Sequence, residues 1–227
     1  MNIVITGCSK GIGAELVKLL TINHKVYGLS RDLESLHKLK SNLATPSNFH
    51  FLQADIKELK KDVVTNFIDV NTVDVLINNA GLLVNKKFSE ISYEDYKNVM
   101  DVNFWGVFHL TQILLDKLSL AKGQIINISS MGGVNYSSKF PGLSLYSSSK
   151  GALTILSECL AEELKTYDIR VNVLALGAVQ TEMLNMAFPD YKANVSSDQM
   201  ASFITSFINS VGNIMNAQVV KVTSSNP

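Results

Sequence analysis

The sequence predicts an α/β fold: a doubly wound, seven-stranded parallel sheet with helices on both faces. Three observations carry this. Short β-branched runs alternate with segments of helical spacing along the whole chain. The strand runs are almost continuously apolar, as strands buried on both faces must be. A glycine-rich turn joins the first strand to the first helix.

The first strand is Asn2 to Thr6, followed by glycine-rich Gly7 to Gly13 and helical spacing from Ala14 to Leu20. Lys25 to Leu29 is a second strand. Leu33, Leu36, Leu39 and Leu43 then form a helical stripe. Asn48 to Gln53 is a third strand, Ile56 to Val70 a helix, and Val73 to Asn78 a fourth strand. Tyr93 to Leu118 carries one long helical pattern. Gln124 to Ser129 is a fifth strand, Tyr146 to Lys165 a helix and Arg170 to Leu176 a sixth strand. Met200, Phe203, Ile204, Phe207, Ile208 and Val211 make a helical stripe stopped at Gly212, and Gln218 to Val222 is the seventh strand. Strands alternating with helices imply βαβ units, with ligands at the carboxyl ends of the strands.

Composition narrows the function. Twenty Lys+Arg balance 20 Asp+Glu, so the chain lacks the basic excess of a general nucleic-acid binder. At 46% hydrophobic and 18% charged it builds a core rather than staying disordered. Only Arg31 and Arg170 are arginines. Cys8 and Cys159 form neither a disulfide framework nor a metal-ligand spacing, and His24, His37, His50 and His109 are scattered, so no metal is expected. The uncharged run from Gln199 to Val220 is too rich in Ser, Thr, Asn and Gln to span a membrane. No secretory leader is visible, and a reducing cytoplasm is the expected compartment.

The loop Thr6-Gly7-Cys8-Ser9-Lys10-Gly11-Ile12-Gly13 has the spacing G-x-x-x-G-x-G. Glycines there let backbone N–H groups approach a pyrophosphate at a helix N-terminus. Cys8 is an oxidisable thiol in that loop or simply a small residue. Asn78-Asn79-Ala80-Gly81 ends the fourth strand, Val102-Asn103-Phe104-Trp105-Gly106 lies on the long helix, and Ser129-Ser130 ends the fifth strand. Tyr146-Ser147-Ser148-Ser149-Lys150 opens the next helix. In these motifs, their order and their spread over nearly the whole chain, the sequence resembles the classical short-chain dehydrogenase/reductase family. The resemblance implies one Rossmann-like domain over residues 1–227, a nicotinamide dinucleotide cofactor, and assembly as a homodimer or homotetramer.

It also implies a cofactor surface. Gly7, Ser9, Lys10, Gly11, Ile12 and Gly13 would line the phosphates, with Asp55 and Ile56 beside the adenine. Asp55 serves equally well as the cap of the helix starting at Ile56. Asn79, Ala80 and Gly81 would pass along the adenosine ribose, while Asn78 braces neighbouring strands. Val179 would offer backbone groups to the carboxamide and Thr181 a hydroxyl.

The second strand ends Leu29-Ser30-Arg31, with no carboxylate where an NAD-selective fold places one. Arg31 suits a 2′-phosphate and Lys10 adds a second charge. Asp32 reads as the cap of the helix at Leu33. NADP (NADPH) is therefore expected over NAD.

Tyr146 and Lys150, four apart, share one helix face. An ammonium beside a phenol favours the phenolate and is expected to lower the Tyr146 pKa, making an acid/base pair. The resemblance adds that Lys150 holds the nicotinamide ribose, that Ser130 contacts the substrate carbonyl, and that Asn103 holds a relay water. Ser129 rivals Ser130, since alternation along a strand lets only one face the cleft. Gly133, three residues on, favours Ser130. Tyr136-Ser137-Ser138-Lys139 has one residue too few for the motif, and Tyr136 is assigned to a loop at the substrate mouth. Leu176 stands where the family usually has proline, which leaves that turn open. Residues 182–197, with Met183, Leu184, Met186 and Phe188, suit a short substrate lid or a surface helix. The Met200–Val211 helix carries no charge on its polar side, so contact with another subunit is expected.

The expected activity is an NADP-dependent carbonyl reductase or alcohol dehydrogenase acting on a small molecule. A catalytically silent dinucleotide-binding sensor or scaffold would have lost Tyr146 or Lys150. A sugar-nucleotide epimerase disagrees with the glycine spacing and the short chain.

Overall fold

The computed structural model describes residues 1–210, 212 and 214–223. Among the described residues nine strands form in chain order: β1 (Asn2–Thr6), β2 (Lys25–Ser30), β3 (Phe49–Gln53), β4 (Val75–Asn78), β5 (Gln124–Ser130), β6 (Arg170–Leu176), β7 (Val179–Gln180), β8 (Val195–Ser196) and β9 (Val219–Val222). Seven of them make one sheet in the order β3-β2-β1-β4-β5-β6-β9, every neighbouring pair parallel. β7 and β8 form a separate two-stranded parallel ribbon that the sequence reading did not anticipate.

The helices are α1 (Gly11–Leu20), α2 (Leu33–Ser41), α3 (Lys61–Phe67), α4 (Tyr93–Met100), α5 (Gly106–Ala121), α6 (Ser144–Glu163), α7 (Glu182–Ala187) and α8 (Ser197–Asn209). Two layers of core follow from the period of two along each strand. Ile3, Ile5, Val75 and Ile77 face Leu16, Val17, Leu36, Ile204 and Phe207 of α1, α2 and α8. Val4 and Leu76, one residue out of phase, face Val64, Leu110, Leu114 and Ala161 of α3, α5 and α6. Among the described residues no helix is long and apolar enough to cross a membrane.

Several boundaries differ from the sequence reading, β4 for one beginning at Val75 rather than Val73. The segment from Ile56 to Val70 is a 3-10 turn at Ile56–Glu58 followed by α3, because Asp55 caps the turn by accepting a hydrogen bond from Lys57 N at 3.2 Å. The long helix of Tyr93 to Leu118 is interrupted by a π-helical turn at Asp101–Trp105. That turn carries Asn103, and such bulges concentrate where a helix must re-aim a side chain. The seventh strand of the sheet begins at Val219. Val211, the last residue of the C-terminal stripe, lies outside the described residues.

The strand order reverses between β1 and β4, so the loops after them diverge and leave a crevice at the carboxyl edge. Leu176 remains in β6, paired with Ser130 and Val222, and Gly177 N donates to Val222 O at 2.9 Å. The strand thus runs straight through the position where proline was expected.

Candidate active site

The crevice is built by the β1–α1 loop. Gly7 has φ +65°, a left-handed conformation, and a Cβ there would lie 2.7 Å from Ala80 Cα. A Cβ on Gly13 would lie 2.2 Å from Gly7 O and 2.7 Å from Asn79 Nδ2. Asn79 Nδ2 donates to Thr6 O and Gly7 O, and Thr6 Oγ1 accepts from Asn79 N and Ala80 N. The glycine loop and the end of β4 are therefore one knitted unit. Lys10 occupies the cap position of α1 without a side-chain capping hydrogen bond, and the first turn holds no acidic residue. That leaves N–H groups for an anion, which is what a dinucleotide pyrophosphate requires. Substituting Gly13 by Ala is expected to cost about 1–3 kcal/mol through forced backbone displacement. Thermal denaturation measures it.

Ser9 Oγ and Ser30 Oγ lie 2.7 Å apart, joining the loop to the end of β2. Asp32 caps α2, accepting from Ser35 N and Ser35 Oγ at 3.0 and 2.7 Å. These bonds, with Lys10, draw its carboxyl down to about 2. The two expected phosphate ligands are already engaged. Lys10 Nζ lies 3.1 Å from Asp32 Oδ2 and 3.5 Å from Glu182 Oε2. Arg31 Nη1 lies 3.8 Å from Asp55 Oδ2. Ile56 and Val179 are buried, and Ile12 packs against the core. Cys8 is buried and its thiol is pushed up to about 12 by desolvation, so it is no reactive thiol.

Beside this groove the other expected residues converge. Ser129 and Ser130 part company as alternation requires. Ser129 Oγ is buried against α6, donating to Lys150 O and sharing a bond with Thr154 Oγ1. Ser130 is half-buried, accepts from Gly132 N at 3.1 Å and hydrogen-bonds the Tyr146 side chain. Lys150 is buried, with Nζ donating to Ile128 O at 2.8 Å. Asn103 is buried on the π turn, where Oδ1 accepts from Leu82 N and Nδ2 donates to Leu82 O and Ser149 Oγ. A Cβ placed on Gly81 would lie 3.5 Å from Lys150 Nζ, 3.6 Å from Asn103 Oδ1 and 3.9 Å from Met183 Cε. Five elements thus meet at one point. Asn78 lies behind it, donating to Asn127 Oδ1 between β4 and β5, as expected of a brace.

The electrostatics correct one expectation. Tyr146 is not lowered: burial pushes it up to about 12, against a smaller opposing effect of its hydrogen bond with Ser130. Lys150 is drawn down to about 8 by burial. Its Nζ sits 6.0 Å from the Tyr146 ring centre and turns to the Ile128 carbonyl. Desolvation is the dominant effect on both groups.

Three loops are joined next to these residues. Asn85 Nδ2 donates to Ala187 O at the end of α7, and Lys86 N donates to Gly142 O. Thr181 Oγ1 caps α7 by accepting from Leu184 N, while its Cγ2 would lie 3.5 Å from a Cβ on Gly11. Tyr136, in the loop before α6, is fully exposed with φ +61°. Glu182, Ser149 and the Ile128 carbonyl escaped the sequence reading. Ser149, inside the Tyr-x-x-x-Lys stretch, was visible as a residue but not as the support of Asn103.

Residues 1–192 match the short chain dehydrogenase family, and the chain belongs to that family of oxidoreductases. Among curated relatives, the chain is 33% identical over 193 residues to the NADPH-dependent pterin aldehyde reductase of Arabidopsis thaliana, covering 82% of this chain and 78% of that one. It is 28% identical over 187 residues to the 3-oxoacyl-[acyl-carrier-protein] reductase FabG of Chlamydia trachomatis, covering 79% and 74%. A solved 3-ketoacyl-(acyl-carrier-protein) reductase from Brucella melitensis, complexed with NADH, superposes with a TM-score of 0.87 over 99% of this chain and 97% of that one, at 21% identity. That likeness establishes the Rossmann-like fold.

Proposed function

We propose that the chain is an NADPH-dependent reductase that interconverts a carbonyl compound and a secondary alcohol. The observation that carries this is the meeting of Tyr146, Ser130, Lys150 and Asn103 at the end of a groove whose glycine loop suits a pyrophosphate. Bound nicotinamide would supply or take up hydride. Tyr146, protonated at neutral pH, donates its phenolic proton to the substrate oxygen, and Ser130 orients that oxygen. Lys150 holds the nicotinamide ribose and Asn103 fixes the Leu82 segment beside it. Val179, Thr181, Asn79, Ala80, Gly81, Asp55 and Ile56 complete the cofactor surface. Retention of both Tyr146 and Lys150 argues against a silent sensor or scaffold. The whole chain acts as one domain.

NADPH is proposed over NADH from Arg31 at the end of β2 and Lys10 in the glycine loop. Both already have carboxylate partners, so the preference is a matter of exchange rather than of free cations. Replacing Arg31 by Ala is expected to raise the KM for NADPH about ten-fold, the loss of one charge-assisted phosphate contact, with little change for NADH. Steady-state kinetics with both cofactors decides it. The wider test is an NADPH-oxidation screen over ketones, aldehydes and acyl thioesters, with Tyr146→Phe as the blank. Oxidation supported by no carbonyl class would overturn the reading.

A homodimer or homotetramer in the cytoplasm is part of the same proposal. The apolar stripe of α8, from Met200 to Ile208, is buried within the chain against the sheet and α1. Its outer side, with Ser202, Phe203 and Ser206, is uncharged past Asp198 in the first turn, is exposed and is the proposed subunit contact. A monomer by light scattering would overturn that contact.

A further inference from the structure

Lys10 stands where three elements meet. Asp32 approaches it from the start of α2, and Glu182 from the first turn of α7, at 3.1 and 3.5 Å. The two carboxylates differ in how they are held. Asp32 is fixed by its cap bonds to Ser35. Glu182 is exposed, and among the described residues Lys10 is its ion-pair partner. The segment read as a lid, residues 182–197, starts close by, since Thr181 packs over Gly11. The Lys10 ammonium is held above the ordinary lysine range by the Asp32 hydrogen bond and next by the field of Glu182.

Counting the whole corner changes its sign. Lys10 and Arg31 face Asp32, Asp55 and Glu182, two cations against three carboxylates. A phosphate arriving there meets a net negative corner, although the residues at the end of β2 and in the glycine loop read as positive. Asp32 and Asp55 have structural duties as caps. Glu182 alone brings its charge from the lid.

We propose that Glu182 is a cofactor-selectivity residue: it neutralises Lys10 from the lid, so a ribose 2′-phosphate must displace this carboxylate to gain the lysine. The proposal rests on the reading of the groove as a dinucleotide site. Its consequence is that 2′-phosphate binding and release of the lid's first turn are one exchange. A dinucleotide without the 2′-phosphate leaves the Lys10–Glu182 pair in place. Glu182 acts through Lys10 and is a positioning residue, not a catalytic one.

The test is calorimetric binding of 2′,5′-ADP and 5′-AMP to the full chain at low salt, which needs no turnover. Glu182→Gln is expected to tighten 2′,5′-ADP about three-fold, the scale of an exposed ion pair, and to leave 5′-AMP unchanged. The gain is expected to disappear in about 0.5 M salt, where exposed charges are screened. In a Lys10→Met background Glu182→Gln is expected to have no effect, because the lysine through which it acts is gone. Asp32→Ser, which keeps a capping oxygen, is expected to tighten 2′,5′-ADP in the same direction. Equal changes for both nucleotides, no change for either, or an effect that survives Lys10→Met overturns the selectivity role alone. Failure of the unaltered chain to bind either nucleotide overturns the dinucleotide reading, and the proposal with it.

Discussion

Replacing Tyr146 with Phe is expected to abolish turnover while leaving NADPH affinity within about two-fold. The substitution removes one hydroxyl and keeps the ring, so packing at the start of α6 is conserved. What is lost is the proton donor. A positioned acid contributes roughly 10²–10⁴-fold in rate, and neither neighbouring hydroxyl nor ammonium can replace it. Ser130 cannot stand in, because an unactivated alcohol is a far weaker acid than a phenol. Lys150 cannot either, because its Nζ is turned toward Ile128 O. Ser130 loses its partner hydroxyl but keeps its bond from Gly132 N, so stability should fall by no more than about 1 kcal/mol. Single-turnover oxidation of NADPH, with cofactor affinity measured separately, checks both halves. Turnover within ten-fold of the unaltered protein would remove Tyr146 from the mechanism.

The sheet could be read from the sequence because its signal is local. Runs such as Val75 to Asn78 and Arg170 to Leu176 are β-branched, apolar and bounded by polar turns. The interruption of the long helix could not be read that way. Residues 93–118 keep helical spacing throughout, and only the tertiary demand on Asn103, which must reach Leu82 and Ser149, selects the π turn. β7 and β8 were missed for a related reason. Two-residue strands carry no periodicity, and Val179 pairs with Val195 only because the chain between them returns.

Within the candidate site, short-range statements transferred and long-range ones did not. Spacing placed Tyr146 and Lys150 on one face, and alternation separated Ser129 from Ser130. The direction of the Tyr146 shift was misjudged because spacing says nothing of desolvation, which dominates once both groups are covered. The partners of Lys10 and Arg31 were equally hidden. Glu182 is more than 170 residues away from Lys10 in the chain, and only the fold brings it to 3.5 Å.

Replacing Lys150 with Met is expected to abolish turnover and, in the same molecule, to stabilise the ligand-free protein at pH 7. The stability half follows from its burial. An unfolded lysine titrates at 10.5, and here the folded value is about 8. Between those values the unfolded chain binds more protons at this lysine, so the contribution of Lys150 to stability rises as pH climbs from 8 toward 10.5, while that of Cys8, with an ordinary value of 9.0 and a folded value of about 12, falls above pH 9 in both proteins alike. Below the folded value both states are charged and the whole deficit is present, on the order of 3 kcal/mol. Methionine has similar length and no charge to desolvate. Its cost is the Ile128 carbonyl left without a donor, about 1–2 kcal/mol. The deficit is the larger quantity, so the net gain is about 1–2 kcal/mol, or several degrees in Tm for a chain of this size. The variant should also lose the rise in stability with pH. Tyr146 does not confuse the measurement below pH 10, because its own folded value of about 12 makes stability fall only above the ordinary phenol value of 10. Thermal unfolding at pH 7, 8 and 9 therefore separates the two proteins. A variant less stable than the unaltered chain at pH 7 would show that the Ile128 bond outweighs the buried charge. A gain would show that the fold tolerates a strained cation at this point for the sake of the reaction.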